Sequence, residues 1–275
     1  MPEGHTLHRV AAELNEGLAG RIVTSSSPQG RFFLGAARVD DHRFVDAEAW
    51  GKHVLVRFDG VAERVHVHLG LFGRWTITHS EDVPVVGEVR WRLRGGSLLA
   101  ELRGPTACEL LAPKESAALL ARLGPDPLRD DADPERAWDQ ISTSRAPLAT
   151  LLMDQAVVAG IGNVYRAEVL FRHRLPPDLP GRDLDRSTWD AVWTDLVALM
   201  RAGVESGQID TVRPEHTPEA MGRDPRDDAH GGEVYVYRRA GLACLVCGTS
   251  VLTKVVASRN LFWCPECQRA DRLTG

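Results

Sequence analysis

Four of the five cysteines fall into two pairs near the C-terminus, Cys244 with Cys247 and Cys264 with Cys267. Both pairs have the spacing C-x2-C, and 16 residues separate them. Thiolate sulfur is a good zinc ligand, and four such ligands complete a tetrahedron with no open position. The start MPEGHTLHRV lacks the basic and apolar regions of a secretory signal, so disulfides are not expected. The spacing therefore predicts one structural zinc ion rather than a redox pair, and the remaining Cys108 is expected to be a buried thiol.

The first residues of the chain offer a different chemistry. Methionine before a small residue is normally removed, so we expect the mature chain to begin at Pro2. An α-amino group titrates near pH 8, and a secondary amine that attacks a sugar C1′ forms an iminium that permits β-elimination. Glu3 could move protons to the sugar ring oxygen or to a leaving base. Both residues also have ordinary explanations, because many chains begin Met-Pro and an acid complements the dipole of a helix start.

A glycine-rich segment, VVAGIGNVYRAEVL at 157–170, joins two expected helices. Glycine at such a turn lets backbone N–H groups approach a phosphate, and we expect Asn163 at the N-cap position of the second helix. The alternative is a helix–helix corner that needs glycine only for close packing.

The elements that would position these residues change character along the chain. Apolar residues at helical spacing predict a helix over 6–19, which ends at Gly20. From about 21 to 112 the pattern is one of short alternating runs, which indicates a sandwich or barrel. Examples of these runs are 53–58, 64–69, 73–78, 89–94 and 98–102. A proline- and acid-rich stretch at 124–136 is the expected domain boundary. Helices are expected near 135–142 and at 147–155, 164–173 and 187–206, followed by a mobile loop at 207–233.

Charge is distributed unevenly over the 275 residues, whose formal net charge is −5. The value argues weakly against a nucleic-acid partner, because phosphate binding depends on Lys and Arg. Residues 207–233 carry 7 acidic and 3 basic side chains, whereas 234–275 carry 6 basic and 2 acidic ones. A basic C-terminal module is therefore hidden in the total. No apolar run approaches the length of a membrane span, so we expect a cytoplasmic, nucleoid-associated protein with no membrane partner.

An ordered set of motifs resembles the formamidopyrimidine-DNA glycosylase/endonuclease VIII family from end to end. The motifs are MPEGHT at the start, AWGKHVLV, HLGLFG at 68–73, RLGPDPL at 122–128, LLMDQAVVAGIGNVYRAEVLF at 151–171 and SRNLFWCPECQR near the end. The start resembles the endonuclease VIII branch, in particular its actinobacterial members, more than the purine-directed branch.

The resemblance implies an α+β multidomain fold. A β-sandwich flanked by helices would occupy residues 1–123 and carry the catalytic N-terminus. A helix–two-turns–helix domain would occupy 124–234, and a zinc-finger hairpin with four cysteine ligands would occupy 235–269. This agrees with the order of strands and helices expected from periodicity. The resemblance also implies a monomer that binds damaged DNA and holds zinc.

The resemblance implies roles for individual positions as well. Pro2 would be the Schiff-base nucleophile and Glu3 its acid–base partner, while Lys52 would contact phosphate and assist β-elimination. Arg259 would grip the phosphates that flank the lesion and act in δ-elimination. The expected contacts to the DNA backbone are Arg122 and Asn163, and the expected void-filling loop is Gly70, Leu71 and Phe72.

Some of these positions have ordinary alternatives, or depart from the family pattern. Lys52 could be a solvated lysine at a strand end, and Leu71 and Phe72 could be strand core. Gly70 stands where the best-known endonuclease VIII pattern has glutamine, which bears on how the orphaned base is contacted.

Three functions are compatible with this pattern. The favoured one is a bifunctional glycosylase that removes oxidised pyrimidines and nicks the strand by β,δ-elimination. The second keeps this chemistry but acts on oxidised purines, which a capping loop at 207–233 would accompany. The third is a non-catalytic protein that binds damaged DNA, and the presence of Pro2, Glu3 and Lys52 together speaks against it.

Overall fold

The computed structural model describes residues 2–79, 84–227 and 232–269. The chain divides into two compact units, Met1–Leu123 and Gly124–Gly275, here called the N-terminal and the C-terminal unit. Within the described ranges, no helix is both long and apolar enough to cross a bilayer.

The N-terminal unit opens with helix α1, Gly4–Leu18. Its apolar residues recur at helical spacing, so Leu7, Leu14 and Leu18 lie on one face and are fully buried. The helix ends before Gly20, whose φ of 76° is readily adopted only by glycine. The other helices of this unit are α2, Phe33–Val39, and α3, Pro113–Ala121.

Antiparallel strands form the body of the N-terminal unit. They are β1 Ile22–Ser26, β2 His42–Trp50, β3 His53–Phe58, β4 Arg64–His68, β5 Arg74–His79, β6 Trp91–Gly95, β7 Leu98–Arg103 and β8 Ala107–Leu111. Their order in the described part of the unit is β5-β7-β6-β1-β2-β3-β4-β8. Strand β1 pairs with β2 through Ile22 and Val23 and with β6 through Thr24, Ser25 and Ser26, so it links two four-stranded halves.

The inner faces of these halves enclose one hydrophobic core together with α1. Phe58 of one half packs edge-on against Trp91 of the other, with 6.4 Å between ring centroids. The indole N–H of Trp91 donates to Ser25 at 3.0 Å, so this large buried side chain leaves no polar group unsatisfied. This packing confirms the fold class expected for the N-terminal part.

The C-terminal unit is helical and ends in a hairpin. Its helices are α4 Pro134–Thr143, α5 Leu148–Leu151, α6 Asn163–Arg172, α7 Arg186–Ser206 and α8 Pro218–Met221, with 3-10 turns at Gly181–Asp183 and Pro214–His216. The hairpin strands are β9 Leu252–Val256 and β10 Arg259–Trp263. The expected helix at 147–155 was too long: α5 has 4 residues. The chain then turns, and the Asp154 carbonyl accepts hydrogen bonds from the backbone N–H groups of Val157 and Val158, both at 3.0 Å.

The segment expected to be a mobile loop, 207–233, is folded over much of its described length. It contains the 3-10 turn and α8, and the Arg223 guanidinium forms an ion pair with Glu233 at 2.6 Å. Glu233 also accepts from the Arg226 N–H at 2.6 Å. Part of the acidic charge of this segment is thus used in internal pairing. Residues 228–231 of the predicted loop lie outside the described residues.

Candidate functional site

The four paired cysteines converge at the end of the C-terminal unit. Their sulfur atoms all lie within 4.8 Å of one another. Cys244 and Cys267 are 3.9 Å apart at sulfur, and Cys247 and Cys264 are 3.4 Å apart. A tetrahedron with Zn–S bonds of about 2.3 Å has S–S edges of about 3.8 Å. The site therefore fits one zinc ion held by four thiolates, which confirms the predicted cofactor and gives it a structural role.

The zinc site holds a hairpin that presents Arg259. Strands β9 and β10 pair from Val256 opposite Arg259, and Ala257 and Ser258 form the turn with φ of 49° and 60°. Positive φ at both central residues defines a type I′ turn, which suits the twist of a two-residue hairpin but strains residues other than glycine. Among the described residues, none forms an ion pair or side-chain hydrogen bond with Arg259. Its partly exposed guanidinium is thus available to an external anion.

Asn163 connects helix α6 to this hairpin. Its side-chain N–H donates to the backbone carbonyl of Asn260 at 2.8 Å, and its oxygen accepts from the buried Arg166. Asn163 is 5% exposed, so both ends of its amide are used inside the protein. The expected N-cap position was wrong, because Gly162 is the N-cap and Asn163 is the first helical residue. The structure brings Asn163 next to the chain neighbour of Arg259.

A buried carboxylate organises the rest of this region. Glu168 is 0% exposed and accepts hydrogen bonds from the backbone N–H groups of Tyr235, Val236 and Tyr237 at 2.7–2.8 Å. The Thr211 hydroxyl donates a fourth bond at 2.6 Å. Several charge-assisted bonds compensate the desolvation of a buried carboxylate. Glu168 thereby attaches α6 to the start of the zinc module.

Gln268 provides a second attachment of the zinc module. Its side-chain oxygen accepts from the Cys264 N–H at 2.9 Å, and its side-chain nitrogen donates to the Leu175 carbonyl at 2.9 Å. One buried amide therefore joins a zinc ligand to the loop after α6. Neither Glu168 nor Gln268 was singled out from the sequence, since nothing local distinguishes them from helix-surface and terminal polar residues.

Pro2 and Glu3 lie immediately before α1. Pro2 is partly exposed, whereas Glu3 is 0% exposed and occupies the N-cap position. The Glu3 side chain makes no capping hydrogen bond, so capping does not explain a buried acid at this point. His5, one residue into the helix, is 4% exposed, and burial lowers its pKa to about 4. A neutral imidazole is thus buried in the first turn of α1, two residues after Glu3.

Lys52 lies in the turn between β2 and β3, beside a cluster of imidazoles that the sequence analysis did not identify. Nδ1 of His53 and Nε2 of His66 are 2.8 Å apart, and Nδ1 of His66 lies 3.0 Å from the Glu109 carboxylate. His68 packs against His53 with 4.9 Å between ring centroids. These side chains, His53, His66, His68 and Glu109, are called the histidine cluster. The alternating histidines of β4, with His53 opposite His68, could have suggested it.

The histidine cluster lies close to two of the predicted site residues. Burial lowers the pKa of His53 to about 3, together with the smaller effects of the charges of His66, His68, Arg122 and Lys52. Two predicted phosphate contacts, Lys52 and the exposed Arg122, are thus close enough to act on one imidazole. Lysine and arginine are cations near neutral pH, so this corner of the N-terminal unit is positive.

The predicted loop Gly70–Phe72 lies between β4 and β5. Leu71 is 40% exposed and Phe72 85% exposed, so neither side chain belongs to the strand core. The Gly73 N–H donates to the Leu69 carbonyl at 3.0 Å and closes the loop at its base. Two neighbouring apolar side chains are thereby exposed to solvent at the tip of this loop.

Family models match three segments of the chain. Residues 1–103 match the family described as formamidopyrimidine-DNA glycosylase N-terminal domain. Residues 123–214 match the formamidopyrimidine-DNA glycosylase H2TH domain, and 241–270 match a zinc finger found in FPG and IleRS.

Whole-chain relatives agree with these matches. The chain is 48% identical to Endonuclease 8 1 of Mycobacterium tuberculosis, over 98% of this chain and 100% of the relative. Among solved structures, the MutM (Fpg) protein of Thermus thermophilus is 26% identical with a TM-score of 0.74, covering 97% of this chain and 98% of that one. A complex of Lactococcus lactis Fpg with DNA containing an abasic site has a similar fold, with a TM-score of 0.77 at 20% identity over 97% and 99% of the chains.

The chain belongs to the formamidopyrimidine-DNA glycosylase/endonuclease 8 family. Its class of activity follows from that membership: it is a base-excision-repair DNA glycosylase with abasic-site lyase activity. The family, the fold class, the enzymatic class and the structural zinc predicted from the sequence are confirmed.

Proposed function

We propose that this enzyme removes oxidised pyrimidines from DNA through a Schiff base on Pro2 and then nicks the strand by β,δ-elimination. The observation that carries the proposal is the pair at the N-terminus. Glu3 is fully buried at the N-cap of α1 and directly follows Pro2 in the chain, so an ionisable acid lies beside the candidate amine. Its neighbour His5 is neutral near pH 7, because its pKa is lowered to about 4.

The chemistry proceeds by transfer of the sugar C1′ from the base to the protein. The Pro2 nitrogen bonds to C1′ as the C1′–base bond breaks, and the base leaves with a proton. Glu3 delivers a proton to the sugar O4′, which opens the ring and leaves an iminium between Pro2 and C1′. The iminium acidifies the C2′ hydrogen. Loss of that proton expels the 3′ phosphate, a second elimination expels the 5′ phosphate, and water releases the sugar fragment.

The cations have separate roles in this scheme. We assign Lys52 to phosphate contact and β-elimination, Arg122 to the DNA backbone, and Arg259 to the flanking phosphates and δ-elimination. An arginine suits this last role because its planar fork donates two parallel bonds to a phosphate. Bound zinc supplies no chemistry in the reaction, since its four thiolate ligands fill the coordination sphere. Asn163 fixes the hairpin that carries Arg259, and we assign its role at the DNA backbone to this support, because both ends of its amide are used inside the protein.

The choice of pyrimidine lesions is supported by the start MPEGHT and by the 48% identity to a relative named Endonuclease 8 1. The acidic segment 207–233 is unlike a clamp for nucleic acid. We assign residues 1–123 to a catalytic domain, 124–234 to the helix–two-turns–helix domain and 235–269 to the zinc finger. We further propose that the enzyme acts as a monomer in the cytoplasm, where its partner is damaged DNA.

Borohydride trapping on a duplex with one oxidised pyrimidine tests the nucleophile. Wild type is expected to form a covalent adduct at the N-terminal peptide. Pro2→Gly, and a chain that retains Met1, are expected to fail, with the mature N-terminus checked by mass spectrometry. An adduct elsewhere in the chain would refute the assignment of Pro2 as the nucleophile. Trapping only with an oxidised purine would refute oxidised pyrimidines as the substrate. No trapping on any lesion or on an abasic site would favour the non-catalytic DNA-binding function instead.

A second experiment tests Arg259. Arg259→Ala is expected to weaken DNA binding and leave the β-elimination end in place of the β,δ product. Arg269→Ala is the matched control, because this exposed arginine lies in the same module and pairs with Glu266 at 3.2 Å. Unchanged ends in Arg259→Ala, or equal effects in the two variants, would contradict the assignment.

A further inference from the structure

The histidine cluster lies on the outer face of the half-sheet that contains β3, β4 and β8. His53 is directly opposite His68 in the pairing of β3 with β4, and His66 is directly opposite Glu109 in the pairing of β4 with β8. Side chains two positions apart on a strand share a face, so all four lie on one face. Val67, between the two histidines of β4, belongs to the hydrophobic core on the other face. The cluster therefore faces away from the core, although His66 is only 6% exposed.

The hydrogen bonds of the cluster determine which ring nitrogens carry protons. An ionised carboxylate only accepts, so Glu109 accepts from Nδ1 of His66 at 3.0 Å. Nε2 of a neutral His66 is then an acceptor, and it accepts from Nδ1 of His53 at 2.8 Å. The remaining nitrogen, Nε2 of His53, consequently has a lone pair and no proton. No described residue forms a hydrogen bond with this nitrogen, and His53 is partly exposed.

His68, which packs against His53, has the opposite arrangement. The Gly70 N–H donates to Nδ1 of His68 at 3.1 Å, so the proton of a neutral His68 ring lies on Nε2. The two ring centroids are 4.9 Å apart. In the neutral cluster, one of these rings therefore offers a donor and the other offers only an acceptor.

An acceptor at His53 is unsuited to the partner that we assign to this corner of the unit. Lys52 and Arg122 are close enough to lower the pKa of His53, and both are assigned to phosphates of the DNA backbone. Phosphate oxygens accept hydrogen bonds, so they would face the lone pair of Nε2.

One added proton removes this conflict. His53 then donates from both nitrogens, and the Glu109 carboxylate stands at the far end of the same chain of hydrogen bonds. In the free protein, burial and the nearby charges disfavour that proton. The negative charge of a bound phosphate opposes their effect. The charged or titratable groups that act on His53 are His66 and His68 of β4, Lys52 of the adjoining turn and Arg122 after α3, with Glu109 of β8 connected through His66.

We propose that His53 is a further phosphate-binding residue, and that the histidine cluster takes up one proton when the DNA backbone binds. The ligand is a phosphate diester, and Nε2 of His53 donates to one of its oxygens. Glu109 acts through His66 and is a positioning residue. The inference rests on the proposed function, in which Lys52 and Arg122 contact phosphate, and it adds a third residue and a proton to that contact. Because binding of DNA and binding of the proton are linked, affinity falls as the pH rises.

Isothermal titration calorimetry measures this proton directly. The ligand is a duplex with a stable abasic-site analogue, which the enzyme binds without cleaving. Titrations at about pH 6.5 in two buffers of different ionisation enthalpy should show uptake of about 0.5–1 proton per complex. The Kd should correspondingly increase about three- to tenfold between about pH 6.0 and pH 7.0. Binding without proton uptake would overturn the inference.

Three variants assign the proton to a residue. His53→Gln is expected to lose most of the uptake and of the pH dependence. Glu109→Gln keeps an acceptor for His66 but removes the negative charge, so the uptake should fall by at least about half. His79→Gln is the matched control, because it removes an exposed histidine of the same unit, and it should behave as wild type.

Uptake that persists in His53→Gln would place the proton elsewhere, for example on His68, and would overturn the inference. An equal loss in His79→Gln would also overturn it, since it would show a general effect of histidine charge. Hydrogen exchange at pH 7.5 checks that each variant retains the wild-type fold. Failure of borohydride trapping on every lesion would instead overturn the proposed function, and it would leave the proton uptake unchanged.

Discussion

Acidification from about pH 7.5 to about pH 5.5 should destabilise the N-terminal unit, because the pKa values of the buried His5 and the partly buried His53 are strongly lowered in the folded state. Burial lowers the pKa of His5 from 6.5 to about 4 and that of His53 from 6.5 to about 3. At pH values between 6.5 and these folded-state pKa values, the two histidines are protonated in the unfolded chain but remain neutral in the folded chain. The stabilising contribution is therefore complete above about pH 6.5 and is lost as the pH falls toward the folded pKa values.

The size of this loss follows from the two pKa values. At about pH 5.5, protonation favours an unfolded histidine of pKa about 6.5 by a factor of about 11, or about 1.4 kcal/mol. The folded side chains take up almost no proton there, so His5 and His53 together cost about 2.8 kcal/mol. At about pH 7.5 the same factor is about 1.1 per histidine, which corresponds to a free energy below about 0.1 kcal/mol. The net change is about 2.7 kcal/mol, a large part of the stability of a typical domain.

Amide hydrogen exchange measures this change within the N-terminal unit, whatever the behaviour of the zinc module. Peptides from α1 and β3, corrected for intrinsic exchange, should lose protection by about 100-fold in wild type between the two pH values. His5→Gln should lose only about 10-fold, and so should His53→Gln, because each removes one of the two titrations. His79→Gln, which alters an exposed histidine, serves as the control and should behave as wild type. Equal pH dependence in all four proteins would refute the argument.

Three further predictions concern the C-terminal unit. Cys264→Ser should lose zinc and DNA affinity while exchange in the N-terminal unit stays unchanged; full zinc by metal analysis would contradict this. Ala257→Gly should stabilise the hairpin by up to about 1 kcal/mol, because it relieves positive φ, and slower exchange of 252–263 would show it. Glu168→Gln should lower the free energy of unfolding by about 2–4 kcal/mol in denaturant titrations. An amide has one acceptor oxygen and adds donors that oppose the surrounding N–H groups; a value near zero would contradict the attachment role of Glu168.

Elements whose apolar residues follow one period were predictable from the sequence. The predicted strand at 53–58 matches β3, and helices 6–19 and 187–206 differ from α1 and α7 by one or two residues at an end. Strand β2 was not predicted. A bulge between Phe44 and Asp46 shifts its alternation, so no single period spans it. Helix α3 was also missed, although Pro113 at its first position and Glu115 two residues later are helix-start signals in the sequence. In the structure, the Glu115 carboxylate accepts a hydrogen bond from the Ala112 N–H.

Site residues were predictable where the chemistry is local in sequence, and not where it depends on distant partners. The cysteine spacing alone indicated the zinc ligands. The donors to Glu168 lie 43–69 positions along the chain from it, so no window around NVYRAEVL reveals their convergence. The histidine cluster joins neighbouring strands, and its alternating histidines resemble an ordinary partly exposed strand until their partners are placed.

Gly70 shows how a departure from a pattern acquires a cause only in three dimensions. The missing glutamine was visible in the sequence, but the sequence left open whether the loop simply lacked one contact or could not hold it. Thr106, 36 positions away in the chain, occupies the place of a Cβ, and His68 takes the N–H that a different backbone conformation would release. Restoring glutamine at position 70 alone would therefore strain the loop before it could contact any base. A side chain at position 70 would require both a strained backbone conformation and a shift of the Thr106 hydroxyl.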